Sequence, residues 1–196
     1  RQSILGLCRE IAALTHQSFS YPKIQLKESN INHDYSVRSE SDSCPMYIGR
    51  YISNLTNTQS PIQMQRRLQL CDIRPISTIV DITNYVLLET GHPLHAFDDR
   101  FIKNKKILIT EAADRHKKIT TLDGESRSLD RHALLIQSGD NPVAVAGVMG
   151  AKNSEVSDKT STIFLEAAYF NPLAIRRTAL KLGMRTDSSI RFEKGV

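Results

Sequence analysis

The stretch Ser77-Thr78-Ile79-Val80-Asp81-Ile82-Thr83-Asn84-Tyr85-Val86-Leu87-Leu88-Glu89-Thr90-Gly91-His92-Pro93 admits two readings. Ile79, Val80, Ile82 and Val86 are β-branched, which favours a strand. The length of the run, Gly91 as a stop and Pro93 just beyond favour a helix. We read a helix over 77–90. Before it, residues 3–15 repeat Ile4, Leu7, Cys8, Ile11 and Leu14 at helical spacing. Residues 25–43 are polar and read as a linker or surface loop, and 46–53 predict a strand. Ser60 as cap, Pro61 at the first helical position and Gln63 as the far side of a capping box predict a helix through Leu68, Leu70 and Cys71.

After 105 the texture changes. Short strands are predicted at 105–112, 117–122, 132–138, 142–148 and 160–168. Asp123-Gly124 and Gly139-Asp140-Asn141-Pro142 supply turn chemistry between them. A last helix runs from Asn171, its cap, through Pro172 to about Leu182, with Gly183 as terminator. Helices before and after a run of strands indicate an α+β fold rather than repeating βαβ units.

The 196 residues are enough for one large domain, or one domain and part of another. A 40% hydrophobic share is enough to build a core. The net charge of +5 fits contact with a polyanion such as RNA but does not single it out. Cys8, Cys44 and Cys71 are odd in number and widely spaced, which argues against a disulfide framework and for a reducing compartment. No signal peptide or apolar run of membrane-spanning length is visible. The chain opens on Arg1 and stops within a motif, so it is expected to be a segment of a longer polypeptide. Gly-x-Ser-x-Gly and phosphate-loop patterns are absent, which argues against an α/β-hydrolase and against nucleotide hydrolysis. His92 and His95 are three apart and suit one helix face, but they lack the pattern of a zinc helix.

Three segments differ from generic packing sequence. The first runs from Arg74 to Asp98 and includes Val80-Asp81-Ile82-Thr83-Asn84-Tyr85-Val86 and Pro93-Leu94-His95-Ala96-Phe97-Asp98. The second is Ala146-Gly147-Val148-Met149-Gly150, followed by Phe164-Leu165-Glu166-Ala167-Ala168. The third is Arg185-Thr186-Asp187-Ser188-Ser189-Ile190-Arg191-Phe192-Glu193-Lys194-Gly195-Val196. Together they resemble the B3/B4 region of bacterial-type phenylalanyl-tRNA synthetase β subunits, over roughly residues 44–196.

The resemblance implies a layered, β-sandwich-like core of mixed and antiparallel strands with helices packed on one side. It implies an editing domain over 44–196, preceded in 1–43 by the end of a B1-like domain and a linker. The Arg191–Val196 end would lead toward the next domain. The implied activity is hydrolysis of the ester of mischarged Tyr-tRNA(Phe), as part of phenylalanine-tRNA ligase in the cytoplasm. The implied partners are the α subunit of an α2β2 heterotetramer, tRNA(Phe), and tyrosine or phenylalanine in the pocket. ATP and Mg2+ would act in the α subunit, and no cofactor or metal is implied for this chain. The alternative is a non-catalytic module that braces the heterotetramer and positions tRNA. A general RNA-binding domain is less favoured, because aromatics are 6% of the chain and tryptophan is absent.

Editing of this kind needs a site that recognises a phenol. A mostly apolar pocket rejects an added hydroxyl only about a hundredfold, whereas a polar group left unpaired by phenylalanine discriminates far better. Glu166 sits inside an apolar run, where a carboxylate is costly to bury without a partner. The resemblance puts the tyrosine hydroxyl on it; the alternative is a strand glutamate facing water. Gly147 and Gly150 suit close backbone approach to a ligand, or a bulge. Ala146 adds space beside them, or simply core packing. Ser188 stands where the family commonly has alanine, and Thr186 shares its loop. Arg74, Thr83, Asn84 and His95 match pocket positions. Arg74 would clamp tRNA or pair with Asp72. Thr83 and Asn84 would hold water or the terminal adenosine, and Asn84 alternatively caps a turn. His95 would orient water, act as a base or be purely structural. Arg176, Arg177, Lys181 and Arg185 would touch RNA phosphates or complement a helix C-terminus.

Overall fold

The stretch 77–93 contains a helix, α3 (Thr78–Thr90), in the computed structural model, which describes residues 2–29 and 33–195. Its ends decide the matter. Gly91 takes φ 86° and returns its N–H to the Leu87 carbonyl at 2.8 Å, a left-handed cap that most side chains resist. At the other end the Ser77 side chain makes no cap bond. A neighbouring loop caps the helix instead: Asn57 Oδ1 accepts the Ile79 N–H at 3.1 Å, and the Thr58 carbonyl accepts the Thr78 N–H at 2.7 Å. Ile79, Asp81 and Leu87 are buried. Packing of that face outweighs the small helix penalty of the β-branched residues.

Helix α1 (Ile4–Thr15) packs against α3, and Ser3 caps it through a 3.0 Å bond from the Gly6 N–H. Helix α2 (Ile62–Leu70) also packs on α3. The capping box expected from Ser60 and Gln63 does not form. Pro61 occupies the cap position with no side-chain bond, and the Ser60 hydroxyl donates to Asp81 instead. The helix begins at Ile62, one residue later than the box requires, so the Ser60 oxygen is not at the cap position to accept a first-turn N–H, and its O–H is free to bond the buried carboxylate. Asp81 also accepts the Ile76 N–H at 2.8 Å, so it ties the 57–77 segment to the first turn of α3.

The polar stretch expected as linker contains a strand, β1 (Ser36–Ser39). Tyr35, just before it, stacks on Phe164 with ring centroids 4.5 Å apart and bonds Asp99 Oδ1 at 2.5 Å. The sheet and that aromatic contact thus reach back into the segment assigned to the linker. Arg1 and the linker residues Asn30, Ile31 and Asn32 lie outside the described residues, as does Val196 of the expected exit segment.

The remaining strands are β2 (Met46–Ile52), β3 (Leu94–Asp98), β4 (Lys106–Glu111), β5 (Lys118–Thr120), β6 (Ser126–Ser128), β7 (Leu134–Ser138), β8 (Asn141–Val145), β9 (Met149–Gly150) and β10 (Ile163–Tyr169). One sheet has the order β1-β4-β7-β8-β9, with β1 parallel to β4 and the other pairs antiparallel. A second, β2-β10-β3, is antiparallel throughout, and β5-β6 form a hairpin. Helices α4 (Pro172–Leu182) and α5 (Asp187–Phe192) complete the fold, with Asn171 capping α4 and Gly183 closing it. The fold is α+β, as the sequence pattern indicates. Strand β3 corrects one local expectation: His95 lies in a strand and His92 in the preceding loop, so the two share no helix face.

The main core lies between the two larger sheets. Ile107, Ile109, Leu134–Ile136 and Val143–Ala146 meet Phe97, Phe164, Ala168 and Phe170 there. The outer face of the three-stranded sheet is covered by α3, where Ile79 meets Ala96 and Ile163.

Candidate functional site

Strand β10 separates two environments by its period-two alternation. Ile163 and Leu165 point toward α3, while Phe164 and Ala168 point into the layer between the sheets. Glu166 shares that inner face and is only 5% exposed. Cross-strand register places Tyr51, Phe164 and Phe97 on one rung, Gly49, Glu166 and His95 on the next, and Tyr47 with Ala168 on the third. Glu166 is thus the centre of a patch of side chains. The missing side chain of Gly49 is filled by Phe164, whose Cζ lies 2.0 Å from where a Cβ would stand. The small Ala168 faces Tyr47 on the third rung, and the Tyr47 hydroxyl donates to Glu166 Oε2 at 2.8 Å.

Burial pushes the Glu166 carboxyl up to about 7, opposed by the Tyr47 hydrogen bond. Desolvation and the nearby carboxyl push the Tyr47 phenol well above its ordinary value, so it stays a donor. Behind them the buried Cys44 thiol is raised to about 11, by desolvation and then by Glu166. Across the rung, burial lowers His95 to about 4, so the imidazole is neutral at pH 7. Its ring stands edge-on to Phe97 at 4.5 Å and lies against Gly150, where a Cβ would come within 2.5 Å of Cε1.

Strand β3 is an edge of its sheet, and a cavity of about 810 Å³ opens there. One wall is α3, with Val80, Thr83, Asn84 and Leu87. The other is Val148–Gly150 with the start of α5, including Thr186 and Ser188. At its floor is a hollow of about 50 Å³ that reaches Glu166. The two share Leu94, His95, Val148, Met149, Gly150 and Ser188. The hollow is far smaller than the cavity above it, so it suits a hydroxyl or a water and an aromatic ring belongs in the larger space.

The other candidates divide. Asn84 and Ser188 line the cavity. Thr83 does as well, but its hydroxyl donates to the Val80 carbonyl at 2.8 Å. Thr186 caps α5 in a capping box, and its hydroxyl donates to the Val148 carbonyl at 2.8 Å. It therefore fixes the distance between the two halves of one wall. Gly147 has φ 66° and touches the small hollow, but its close approach is to Ile175, 2.9 Å from a built Cβ, and not to open ligand space. Ala146 is a correction: it is 1% exposed in the main core and borders neither space. Arg74 is exposed, makes no ion pair with Asp72, and sits outside the lining, two residues before Ile76 on the rim. Arg176, Arg177, Lys181 and Arg185 are exposed and outside the cavity lining, and Lys181 pairs with Asp130.

Two site residues escape sequence reasoning. Tyr47 lies in a predicted strand, but nothing local tells which strand pairs with it. Asn57 bridges the Ile79 N–H and, at 2.8 Å, the Ser157 carbonyl, and has no local pattern at all. The rim also carries Asp123, Glu155, Asp158 and Asp187. Arg127, Lys152 and Arg191 pair with three of these, which mutes the negative field. Among the described residues no cluster of His, Cys, Asp or Glu is arranged to hold a metal, and no helix is long and apolar enough to cross a membrane.

Comparison with known proteins adds a second line. The profile of the B3/4 domain family matches residues 43–196. The chain is 46% identical to the phenylalanine–tRNA ligase β subunit of Carboxydothermus hydrogenoformans and 45% identical to that of Geobacter metallireducens, in each case over 99% of its own length. It spans 24% of the length of either relative. The crystal structure of an N-terminal fragment of the phenylalanyl-tRNA synthetase β subunit from Pyrococcus horikoshii superposes with a TM-score of 0.50. At 16% identity, over 92% of this chain and 56% of the fragment, that likeness concerns the fold alone.

Proposed function

The chain belongs to the B3/4 domain family, in the form carried by phenylalanine–tRNA ligase β subunits, and from that premise we propose that it hydrolyses the ester of Tyr-tRNA(Phe). The supporting observation is a buried carboxyl beside a ligand-sized cavity. Glu166 Oε2 accepts the Tyr47 hydroxyl, Oε1 accepts no hydrogen bond from a described residue, and Glu166 lines the small hollow. A tyrosine ring lies against Leu94, Val148 and Met149 with its hydroxyl reaching Oε1. Phenylalanine brings no donor and leaves that oxygen of a largely buried carboxyl without a partner, which is the arrangement that discriminates strongly.

The reaction needs a water placed at the ester carbonyl. The water oxygen bonds to the carbonyl carbon, the bond to the ribose oxygen breaks, and the ribose hydroxyl regains a proton. His95 is neutral and too weakly basic at about 4 to be a strong base at pH 7, so it positions water. Asn84 and Ser188 offer further polar contacts at the walls. The tRNA's own neighbouring hydroxyl supplies the remaining acid–base capacity. In this reading the region serves a cytoplasmic α2β2 ligase. The α subunit carries ATP and Mg2+ chemistry there, and Arg74 beyond the rim contacts tRNA.

The test is deacylation of Tyr-tRNA(Phe) and Phe-tRNA(Phe) by the full-length subunit in its native assembly. Faster loss of the tyrosyl ester is expected. Equal, background loss of both esters would replace this reading by a bracing and tRNA-positioning role.

A further inference from the structure

We propose that Tyr47 is a positioning residue that sets the selectivity of the site by holding one oxygen of Glu166, leaving the other as the single acceptor presented to a substrate phenol. The proposal rests on the editing reading and goes beyond it by naming a residue that touches no substrate.

The geometry is specific. Tyr47 and Glu166 lie on the same face of adjacent strands, offset by one rung, and their side chains meet through the 2.8 Å bond to Oε2. The ring reaches across because Ala168 directly opposite is small. Without the bond, a 5% exposed carboxyl could rotate about its last torsion, and either oxygen, or neither, would face the hollow. With it, one acceptor is fixed and the other satisfied, so a single substrate donor completes the group. The titratable neighbours facing Glu166 are Tyr47 from β2, Cys44 just before that strand, and His95 from β3. Of these, Tyr47 alone donates a hydrogen bond to it. That bond favours the charged carboxylate, to which a phenol donates more strongly than to a neutral acid.

The experiment measures kcat/KM for Tyr-tRNA(Phe) and Phe-tRNA(Phe) across pH in the full-length subunit within its native assembly. It compares wild type, Tyr47→Phe, and replacement of Tyr47 by 3-fluorotyrosine. Tyr47→Phe keeps the ring and removes the bond; selectivity for the tyrosyl ester falls roughly tenfold at neutral pH, and the midpoint of its pH profile moves up by about one unit. Fluorotyrosine keeps the fold and bond with a more acidic phenol, and moves the midpoint down. A purely structural tyrosine moves neither midpoint. If Tyr47→Phe slows both esters equally, or leaves selectivity and midpoint unchanged while wild type edits, the role of Tyr47 is overturned and the editing reading stands. If wild type shows no preference for the tyrosyl ester, the editing reading falls and takes this proposal with it.

Discussion

Glu166 and His95 face each other across the β10–β3 pair, and burial drives both toward their uncharged forms, the carboxyl up to about 7 and the imidazole down to about 4. The floor of the cavity is therefore polar without being strongly ionic through the mildly acid range. It can exchange hydrogen bonds with a hydroxyl while offering little to a free ion. An ion pair between the two would have moved both values the other way.

These two shifts have opposite consequences for stability. Folded Glu166 titrates near 7 against an ordinary 4.5, so between those values the native state keeps a proton that the unfolded chain has lost. Stability from this group falls as pH rises from about 4.5 to 7. Folded His95 titrates near 4 against 6.5, so the unfolded chain takes the proton first as pH falls, and stability is lost from about 6.5 down to 4. In wild type the two slopes offset each other over most of that range. Glu166→Gln leaves the His95 slope alone, and urea unfolding is expected to show the variant gaining stability from pH 4.5 to 6.5 relative to wild type, by up to about 3 kcal/mol. Parallel profiles for the two proteins would mean that Glu166 is not desolvated in solution.

Substitution at the same residue also probes function. Glu166→Ala removes the acceptor altogether, so hydrolysis of the tyrosyl ester is expected to fall toward the phenylalanyl rate, a loss of roughly a hundredfold in selectivity. Glu166→Gln keeps an acceptor oxygen and is expected to fall between. The measurement is the ratio of single-turnover deacylation rates, with tRNA affinity as the control that should not move.

Gly150 sets the position of the imidazole. A Cβ there would come within 2.5 Å of His95 Cε1 and 2.7 Å of Nε2. Gly150→Ala therefore displaces the ring, at a cost of about 1–3 kcal/mol typical of overpacking. Deacylation is expected to drop at least tenfold, since small misplacements near reacting groups are costly. A variant with full activity and unchanged thermal stability would show that the ring has room to swing away.

Much of this arrangement is legible in the sequence. The helix over 78–90 could be read from Gly91 and Pro93 despite its β-branched residues, and α4 from Asn171, Pro172 and Gly183. Glu166 was legible as an anomaly, a carboxylate within an apolar strand. What stayed hidden was set by contacts distant in sequence. Ser60 reads as a helix cap, but the helix starts at Ile62 with Pro61 at the cap position, and the Ser60 hydroxyl bonds Asp81, twenty-one residues on. Strand β3 is five residues long and follows a proline, so its period was too short to detect; its pairing with β10 brings His95 to Glu166. Ala146 lies in the turn after β8, where no alternation tells core from cavity, and it packs into the main core while its neighbours Val145 and Gly147 line the small hollow.

The 57–77 segment depends on Asp81. Asp81 is 1% exposed and receives the Ser60 hydroxyl and the Ile76 N–H. Asp81→Ala leaves both donors without their acceptor, at a cost of about 2–4 kcal/mol. Ser60→Ala removes one donor and leaves the carboxylate its bond to Ile76, so its cost is expected to be smaller, near 1 kcal/mol. The double variant should cost less than the sum, because the two residues share one interaction. Gln59, Ile76 and Ser77 line the cavity rim. Loosening them is therefore expected to weaken substrate binding more than the chemical step, seen as a raised KM with kcat nearly unchanged. Urea unfolding and limited proteolysis across 57–77 measure the first effect, and deacylation kinetics measure the second. Additive stability costs with unaltered KM would separate this anchor from the cavity mouth.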